Sequence, residues 1–317
     1  NRMKEAQYRE GESHDEKPQG IVREHEHGYM GSFHDYKKED IDEMKKGYFA
    51  SVAFIDQQVG RVLDELEKQG LKENTMVIFV SDHGDMLGDH GLSQKNVPYE
   101  QSIRIPLIIK WPGKTKTEMV NTDLVSLLDI FPTLIDGLDL EYPGDVNELA
   151  GESLINVLSG GQKMNREEFY IDYGYMHDRW ICVRTSKYKY TYWMAEGFEE
   201  LYDLEDDPLE CVNISNTAFE IRKGLRQKVI EWEKQYGFME SFQGNSLKKY
   251  KVPERPSEET CRFVTINNGR WAENLPDEEK NQVESFAQAF TNAVSTEKTL
   301  SPEKLSIKQY KEKGGSL

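Results

Sequence analysis

Apolar residues recur at steps of three and four between Glu39 and Gly70, a period typical of one face of an α-helix. The stripe comprises Ile41, Met44, Tyr48, Val52, Ile55, Val59, Val62 and Leu66. Asp40, with Glu43 three residues later, is the expected N-cap, and Gly70 stands where a C-cap glycine is expected. The pattern predicts one long amphipathic helix.

Two short runs of β-forming residues follow this helix. Residues 75–81 have the sequence TMVIFVS, and residues 106–111 have the sequence PLIIKW. Uninterrupted apolar runs are typical of strands that are covered on both faces of a mainly parallel sheet. Residues 123–138 are predicted to be helical, with Pro132 restarting or kinking the helix. Helix, strand, loop, strand and helix in this order predict an α/β fold.

The pattern changes after residues 142–162, which are rich in Gly, Asn and Ser. Residues 168–172, 180–184 and 188–193 are predicted to form a small antiparallel sheet, residues 201–208 to turn the chain, and residues 221–236 to form an amphipathic helix. Leu225, Val229 and Trp232 lie on one side of that helix. We therefore expect a large α/β domain in 1–150, a small α+β subdomain in 151–245, and an extension in 246–317 that packs on the body.

Composition narrows the function classes. The 317 residues carry a formal net charge of -17, which argues against a nucleic-acid partner because no basic surplus neutralises phosphates. No apolar run approaches the roughly 20 residues that span a membrane. Neither the cysteines nor the N-terminal histidines have metal-ligand spacing, so free thiols and a solvated loop are expected. These residues are Cys182, Cys211, Cys261, His14, His25, His27 and His34.

The first apolar run ends abruptly in polar residues, in the stretch VIFVSDHGDMLGDHGLSQK at 77–95. Ligands of α/β sheets bind beyond the carboxyl ends of strands, where Asp82 and His83 stand. These two side chains suit a divalent cation, a general acid–base pair or a capped turn without function. Lys95 is either a solvated lysine or a fixed positive charge for an anion.

Several motifs, taken in order, resemble the second half of type I sulfatases, which belong to the alkaline-phosphatase-like superfamily. The resemblance covers residues 38–236. Its motifs are KGYFASVAFIDQQVG at 46–60, SDHGDMLGDHG at 81–91, Lys95, Tyr99-Glu100, Arg104-Ile-Pro106, Val183-Arg-Thr185, Tyr188-Lys-Tyr190 and LYDLEDDP at 201–208 with Glu210 and Asn213. The interval of 13 residues from Asp82 to Lys95 also matches the family.

The resemblance implies that Asp82 and His83 are two ligands of one divalent cation. Ca²⁺ is the first choice, but His83 stands where many relatives have Asn, and an imidazole also admits Mn²⁺ or Mg²⁺. Lys95 is implied to contact the sulfate and to stabilise charge on the leaving oxygen. His90 is either a structural histidine or a substrate contact.

Three further residues, Tyr99, Glu100 and Arg104, match a segment that supports the site without taking part in the chemistry. The resemblance implies the second half of a mainly parallel sheet between helices, followed by the small subdomain. It also implies a sulfate ester substrate, with sulfated glycans as one class, and a periplasmic or secreted location.

The chain departs from the family in its nucleophile. No cysteine lies in the Cys- or Ser-x-Pro-x-Arg motif whose first residue becomes formylglycine, and the paired aspartates and the Pro-His-x-Pro motif are absent. We therefore expect the C-terminal portion of a longer protein, inactive in isolation, whose N-terminal half carries the formylglycine. A phosphonate or phosphate ester hydrolase and a non-catalytic binding module are the alternatives. Asn213-Ile-Ser215 formally matches a glycosylation acceptor.

Overall fold

A computed structural model describes Lys17, Pro18, Ile21 and residues 37–116, 118–161 and 163–251. The expected helix around residues 283–294, the four N-terminal histidines and Cys261 lie outside these residues. Within the described ranges, no helix combines the length and the apolar character needed to cross a membrane.

Helix α1 spans Lys38–Lys68, as the apolar stripe predicted, and the chain leaves it through Gly70 at φ 68°. The predicted N-cap at Asp40 is wrong. The helix begins after Lys37, and the Asp40 carboxylate accepts a hydrogen bond from the Lys37 backbone N–H at 2.9 Å. Ile41 is the one buried residue of α1. Apolar positions farther along remain open, with Val62 62% exposed.

Strands β1 (Val77–Val80) and β2 (Leu107–Lys110) form a two-stranded sheet. They pair antiparallel, with Val77 opposite Lys110, which differs from the parallel arrangement that their apolar runs favour. An antiparallel strand beside otherwise parallel ones is common in α/β sheets, so the α/β class is unaffected. The expected cover on both faces is also incomplete, because Phe79 is 40% and Ile108 62% exposed.

The helix predicted over 123–138 begins later than expected. A 3₁₀ turn at Leu127–Asp129 leads into α3 at Ile130–Leu138; the short α2 precedes it at Glu100–Ile103, and α4 follows at Ile155–Leu158. Ser126 and Asp129 cap this start reciprocally. Pro132 therefore lies in the first helical turn, where a missing N–H costs no helical hydrogen bond.

The C-terminal region contains a four-stranded antiparallel sheet in the order β3-β4-β5-β6. The predicted strands are confirmed as β3 (Glu168–Tyr173), β4 (Trp180–Thr185) and β5 (Tyr188–Trp193). The turn predicted from Leu201 is wrong at its start, because Glu199–Asp203 forms β6, paired with β5. Helix α5 (Phe219–Tyr236) and the short β7 (Phe242–Gln243) and β8 (Ser246–Leu247) follow.

The four-stranded sheet is buried on both faces. Ile181 and Val183 of β4 pack with Leu225 and Val229 of α5 in one apolar cluster. Their neighbours on the strand, Trp180 and Cys182, belong to a second cluster that contains Met86, Leu92, Val97 and Tyr99 from the segment after β1. Because alternate residues of a strand point to opposite faces, β4 holds α5 on one side and the Asp82–Tyr99 segment on the other.

Two further predictions from the sequence concern the cysteines and the triplet at Asn213. Cys182 is a free thiol, as predicted, and burial raises its pKa to about 12, whereas the Cys211 Sγ donates to the Leu209 carbonyl at 3.4 Å. The Asn213 side chain accepts from the Leu201 and Ser215 backbone N–H groups and donates to the Glu199 carbonyl. These bonds give Asn213 a turn-forming role, although its triplet matches a glycosylation acceptor. The domain boundaries at residues 150 and 245 remain a prediction.

Candidate active site

The turn after β1 presents Asp82 and His83 at the carboxyl end of the strand. Gly84 holds this turn close to α2, because its backbone N–H donates to the Ser102 carbonyl at 2.7 Å. A Cβ at Gly84 would lie 2.0 Å from the Gln101 carbonyl oxygen. Any larger residue at Gly84 would therefore push the turn away from α2.

One hydrogen bond orients the His83 ring. Its Nδ1 lies 2.8 Å from the Gly84 carbonyl oxygen, which can only accept, so Nδ1 carries the proton. In this tautomer Nε2 carries the lone pair, and this atom lies 3.4 Å from the Asp82 Oδ2. Two acceptors at that distance repel unless a cation or a proton lies between them. Metal-binding histidines commonly donate their other ring N–H to a carbonyl, so this donor pair fits a divalent cation.

Asp82 is suited to remain ionised. The His83 backbone N–H donates to its Oδ1 at 2.9 Å and holds the pKa of the Asp82 carboxyl below its usual value. The side chain is 81% exposed, so both oxygens are open to a ligand. Across the described ranges, no group of three or more His, Cys, Asp or Glu side chains is arranged to hold a metal ion. Asp82 and His83 thus provide two donors, and the described residues do not complete the set.

Lys95 lines the same groove as Asp82 and His83. The groove has a volume of about 1510 Å³, with the ends of β1 and β2 on one side and β3 and β4 on the other. Within the part of the chain that the structure describes, Lys95 has no carboxylate at ion-pair distance. Most other cations on its wall are neutralised, for example Arg166 by Asp129 at 2.7 Å. Lys95 is therefore a positive charge available to an anion in the groove.

Tyr99 and Glu100 connect this groove to the small sheet. Tyr99 is fully buried, and its hydroxyl donates to the carboxylate of Glu200 on β6 at 2.9 Å. Glu100 forms ion pairs with Arg184 at 3.5 Å and with Lys189 at 3.3 Å. Arg104 is exposed and lines the groove. These positions agree with a supporting role for Tyr99 and Glu100.

Two buried charged residues, Lys189 and Glu210, connect Glu100 to the C-terminal region. Lys189 and Glu210 are almost completely buried and form an ion pair, and the Glu210 carboxylate accepts the Glu100 backbone N–H at 2.7 Å. Burial raises the pKa of Glu210, against the opposing effect of Lys189. Burial also acts to raise the pKa of Glu100, but Lys189 and Arg184 outweigh it and the net shift is downward. The sequence signal for this cluster was a lysine inside the apolar β5 pattern.

His90 does not reach the groove lining. It is 4% exposed, and its ring stacks on Tyr99 with 4.1 Å between the centroids. The Lys17 ammonium lies 3.5 Å from its Nδ1. These contacts favour the structural alternative for His90 over the substrate contact.

Family models match most of the described chain. A model described as Sulfatase matches residues 6–140, and a model described as N-sulphoglucosamine sulphohydrolase, C-terminal, matches residues 88–235. The two matches overlap within the segment that carries Lys95, Tyr99 and Glu100. The overlap thus includes residues of the segment after β1 that contact the small sheet.

Characterised relatives are similar over part of their length. An arylsulfatase of Clostridium perfringens is 36% identical over 183 residues, which is 57% of this chain and 37% of the relative. An N-acetylglucosamine-6-O-sulfatase of Bacteroides thetaiotaomicron is 30% identical over 240 residues, covering 69% of this chain and 42% of the relative. The chain therefore spans less than half the length of these relatives.

A solved structure has the same fold. The phosphonate monoester hydrolase of Agrobacterium radiobacter superposes with a TM-score of 0.59 at 28% identity, over 65% of this chain and 44% of the other. The similarity supports an alkaline-phosphatase-like α/β architecture for the described residues.

Proposed function

Because the chain belongs to the sulfatase family, we propose that it supplies one half of the active site of a sulfuric ester hydrolase. The observation that carries the proposal is the arrangement of Asp82, His83 and Lys95 around one groove. Two of these residues direct lone pairs to one place, and the third brings a positive charge without an acidic partner. Hydrolysis of a sulfate monoester needs both. A cation stabilises the non-bridging sulfate oxygens, and a hydrogen-bond donor stabilises the leaving oxygen.

In this proposal, one Asp82 carboxylate oxygen and the His83 Nε2 hold a divalent cation. Ca²⁺ is the first candidate, and Mn²⁺ or Mg²⁺ suit the imidazole as well. The bound cation would supply electrostatic stabilisation of the sulfate oxygens. Lys95 binds the sulfate and donates to the oxygen that leaves with the alcohol, where negative charge develops. Tyr99 and Glu100 keep this wall of the groove in place, and Arg104 lines it.

The remaining ligands and the formylglycine nucleophile belong, in this proposal, to an upstream half of the same fold. The open apolar side chains of α1 and of the β1–β2 sheet support it. Val62, Phe54 and Ile108 are 62%, 63% and 62% exposed, as expected for a surface that another part of an α/β domain covers. The relatives are more than twice as long as the matched segments, which leaves room for such a half.

Sulfated sugars are the proposed substrate class, on the basis of the N-acetylglucosamine-6-O-sulfatase relative. The second candidate is a phosphonate monoester hydrolase, which the solved structure of that name favours. Both anions are tetrahedral and suit the same cation and the same lysine. Hydrolysis rates of a sulfate ester and a phosphonate ester distinguish the two candidate functions.

The test uses a polypeptide that contains this chain together with the upstream half of the family fold. We expect hydrolysis of an aryl sulfate with a higher kcat/KM than that of a matched aryl phosphonate. Asp82→Ala removes a metal ligand, so bound metal and turnover should both fall by more than about 100-fold. Elemental analysis of the purified protein and steady-state kinetics measure the two quantities.

Asp206→Ala is the matched control, because Asp206 is an exposed aspartate in the turn after β6. It should leave metal content and turnover at their original values. Full metal occupancy in Asp82→Ala contradicts the assigned ligand. A preference for the phosphonate establishes the second candidate, and a folded protein that hydrolyses neither ester supports the non-catalytic binding module.

A further inference from the structure

The segment from Leu87 to Asn96, which carries Lys95, is unusually rich in left-handed backbone. Six of its ten residues have φ between 47° and 97°, namely Leu87, Gly88, His90, Gly91, Gln94 and Asn96. Four of the six are not glycine, and side chains make this conformation unfavourable. The two residues next to Lys95 in the chain, Gln94 at φ 66° and Asn96 at φ 79°, both belong to the set. Lys95 is thus flanked on both sides by a left-handed residue.

Asp85 fixes the residue before Lys95. Its Oδ1 accepts from the Gln94 backbone N–H at 3.1 Å and from the Leu87 backbone N–H at 3.0 Å. The Met86 backbone N–H donates to the Gln94 carbonyl at 2.7 Å, so Gln94 is held at both of its peptide groups. One carboxylate therefore closes the segment into a loop and determines where Lys95 begins.

Trp180 fixes the residue after Lys95. Its indole N–H, on β4 of the small sheet, donates to the Asn96 carbonyl at 2.9 Å. The ring is 3% exposed and packs in the apolar cluster with Met86 and Val97. This hydrogen bond joins β4 to the segment from Leu87 to Asn96. The small sheet therefore helps to fix Asn96, a groove residue that lies outside the sheet.

We infer that Asp85 and Trp180 are positioning residues for Lys95, and that they hold the left-handed turn that presents its ammonium to the bound anion. Residues kept in unfavourable backbone conformations by several independent bonds are concentrated at functional sites. The inference rests on the proposed role of Lys95 as the sulfate contact. It adds that the small sheet acts on the position of Lys95 through the indole hydrogen bond of Trp180.

Trp180→Phe tests the inference, because it removes the N–H and keeps an aromatic ring. In the protein as proposed above, kcat for an aryl sulfate should fall by about tenfold to a hundredfold, and KM should change less. A displaced lysine loses most where charge develops on the leaving oxygen, which happens in the transition state. In the chain by itself, NMR couplings that report φ at Gln94 and Asn96 should move towards ordinary values.

Trp193→Phe is the matched control. Trp193 is a second buried tryptophan on the same sheet, 6.2 Å from Trp180 between ring centroids, and its indole N–H donates to Glu200. It should lower the melting temperature at least as much as Trp180→Phe, because it removes a donor to a buried carboxylate, but leave kcat and the φ-reporting couplings unchanged. Asp85→Ala is the second variant and should reproduce the effects of Trp180→Phe, with faster exchange of the Gln94 amide.

The outcomes separate the inference from the function on which it rests. Unchanged kcat in both Trp180→Phe and Asp85→Ala, with a tenfold or greater loss in Lys95→Ala, overturns the positioning role alone. Altered couplings without a change in kcat overturn it as well, since the bonds then only stabilise the fold. Equal losses in Trp193→Phe and Trp180→Phe show a general packing effect and also overturn it. A Lys95→Ala enzyme with the original kcat places the failure in the proposed function of Lys95.

Discussion

The small sheet with α5 and the region of α1, β1 and β2 differ in how their apolar residues are used. On α5 and the strands beside it, Val229, Ile181 and Tyr190 are completely buried. On α1 and the two-stranded sheet, residues with equally regular patterns stay open, and Ile41 is the one buried residue of α1. The same amphipathic pattern therefore predicts both α1 and α5 correctly as helices. Of the two, only α5 packs its apolar face against other described residues.

Charged residues show the same contrast. In the C-terminal region, Arg179 is buried and forms a two-bond ion pair with the buried Glu233, at 3.0 and 2.7 Å, and a further pair with Asp172. Along α1, pairs such as Lys38–Asp42 lie in solvent. Buried ion pairs lose much more than exposed ones when one partner is removed, because the remaining charge stays without water. The C-terminal region is therefore where single substitutions should have large effects.

The largest effect is expected for Glu233→Gln, which keeps the shape of the side chain and removes its charge. Arg179 then keeps Asp172 as its acidic partner in a buried position. The free energy of unfolding should fall by about 3 kcal/mol, the lower end of the range for breaking one side of a buried pair, because Asp172 still neutralises Arg179. Urea unfolding followed by tryptophan fluorescence measures this loss.

Glu205→Gln is the control for that experiment, because Glu205 pairs with Lys187 at 2.9 Å on an exposed surface. Little change in stability is expected, since water and salt screen such pairs. Equal losses in the two variants would show that the contrast between buried and exposed pairs does not determine the stability of this region.

An intermediate effect is expected for one valine substitution made in two helices. Val229→Ala on α5 removes a fully buried side chain and should cost about 1.5–3 kcal/mol. Val62→Ala on α1 changes a residue that is 62% exposed, so a change within about 0.5 kcal/mol is expected. Thermal and urea unfolding of the two variants provide the comparison.

The valine pair also tests the proposed cover of α1. When the chain is joined to the upstream half, Val62→Ala should become destabilising, while the cost of Val229→Ala stays the same. A substantial cost of Val62→Ala in the chain by itself would show that the α1 surface is already buried, for example by a second copy of the chain.

Prediction from the sequence succeeded where apolar periodicity matched a partner inside the chain. Strands β3, β4 and β5 and helix α5 were found because their patterns end in a real core. Strand β6 was missed because Glu199, Glu200 and Asp203 give it the composition of a turn. Glu200 is nevertheless completely buried and accepts from Tyr99, Tyr202 and Trp193, and no local pattern reveals such long-range partners.

The candidate site divides in the same way. Asp82, His83 and Lys95 could be predicted as site residues from the end of an apolar strand and from a motif with fixed spacing. Asp85 and Trp180 could not, because their role consists of hydrogen bonds to backbone groups that only the folded chain brings near. The pairing of β1 with β2 was also beyond the sequence, since strand composition does not determine direction.

The smallest effect concerns pH and the contact between the two regions, where Glu100 meets Lys189 and Arg184. The pKa of Glu100 is below its usual 4.5 in the folded protein, despite burial, because of these two cations. The unfolded chain then binds the proton more tightly, so stability from Glu100 is present above pH 4.5 and is lost as pH falls through the lowered pKa. Glu100→Gln should therefore be less stable than the original chain at pH 7, and the difference should narrow below pH 4.5.

Glu210→Gln is the internal comparison, because the pKa of Glu210 is shifted upward by burial. A raised carboxyl pKa makes the folded chain the tighter binder of the proton, so Glu210 stabilises the fold progressively as pH falls. Removing this group should therefore make the chain more sensitive to acid, opposite to the effect of Glu100→Gln. Urea unfolding at pH 7, 5 and 4 measures both slopes. A shift of the pH dependence in the same direction in both variants would contradict the opposite pKa shifts of Glu100 and Glu210, the two carboxylates that pair with Lys189.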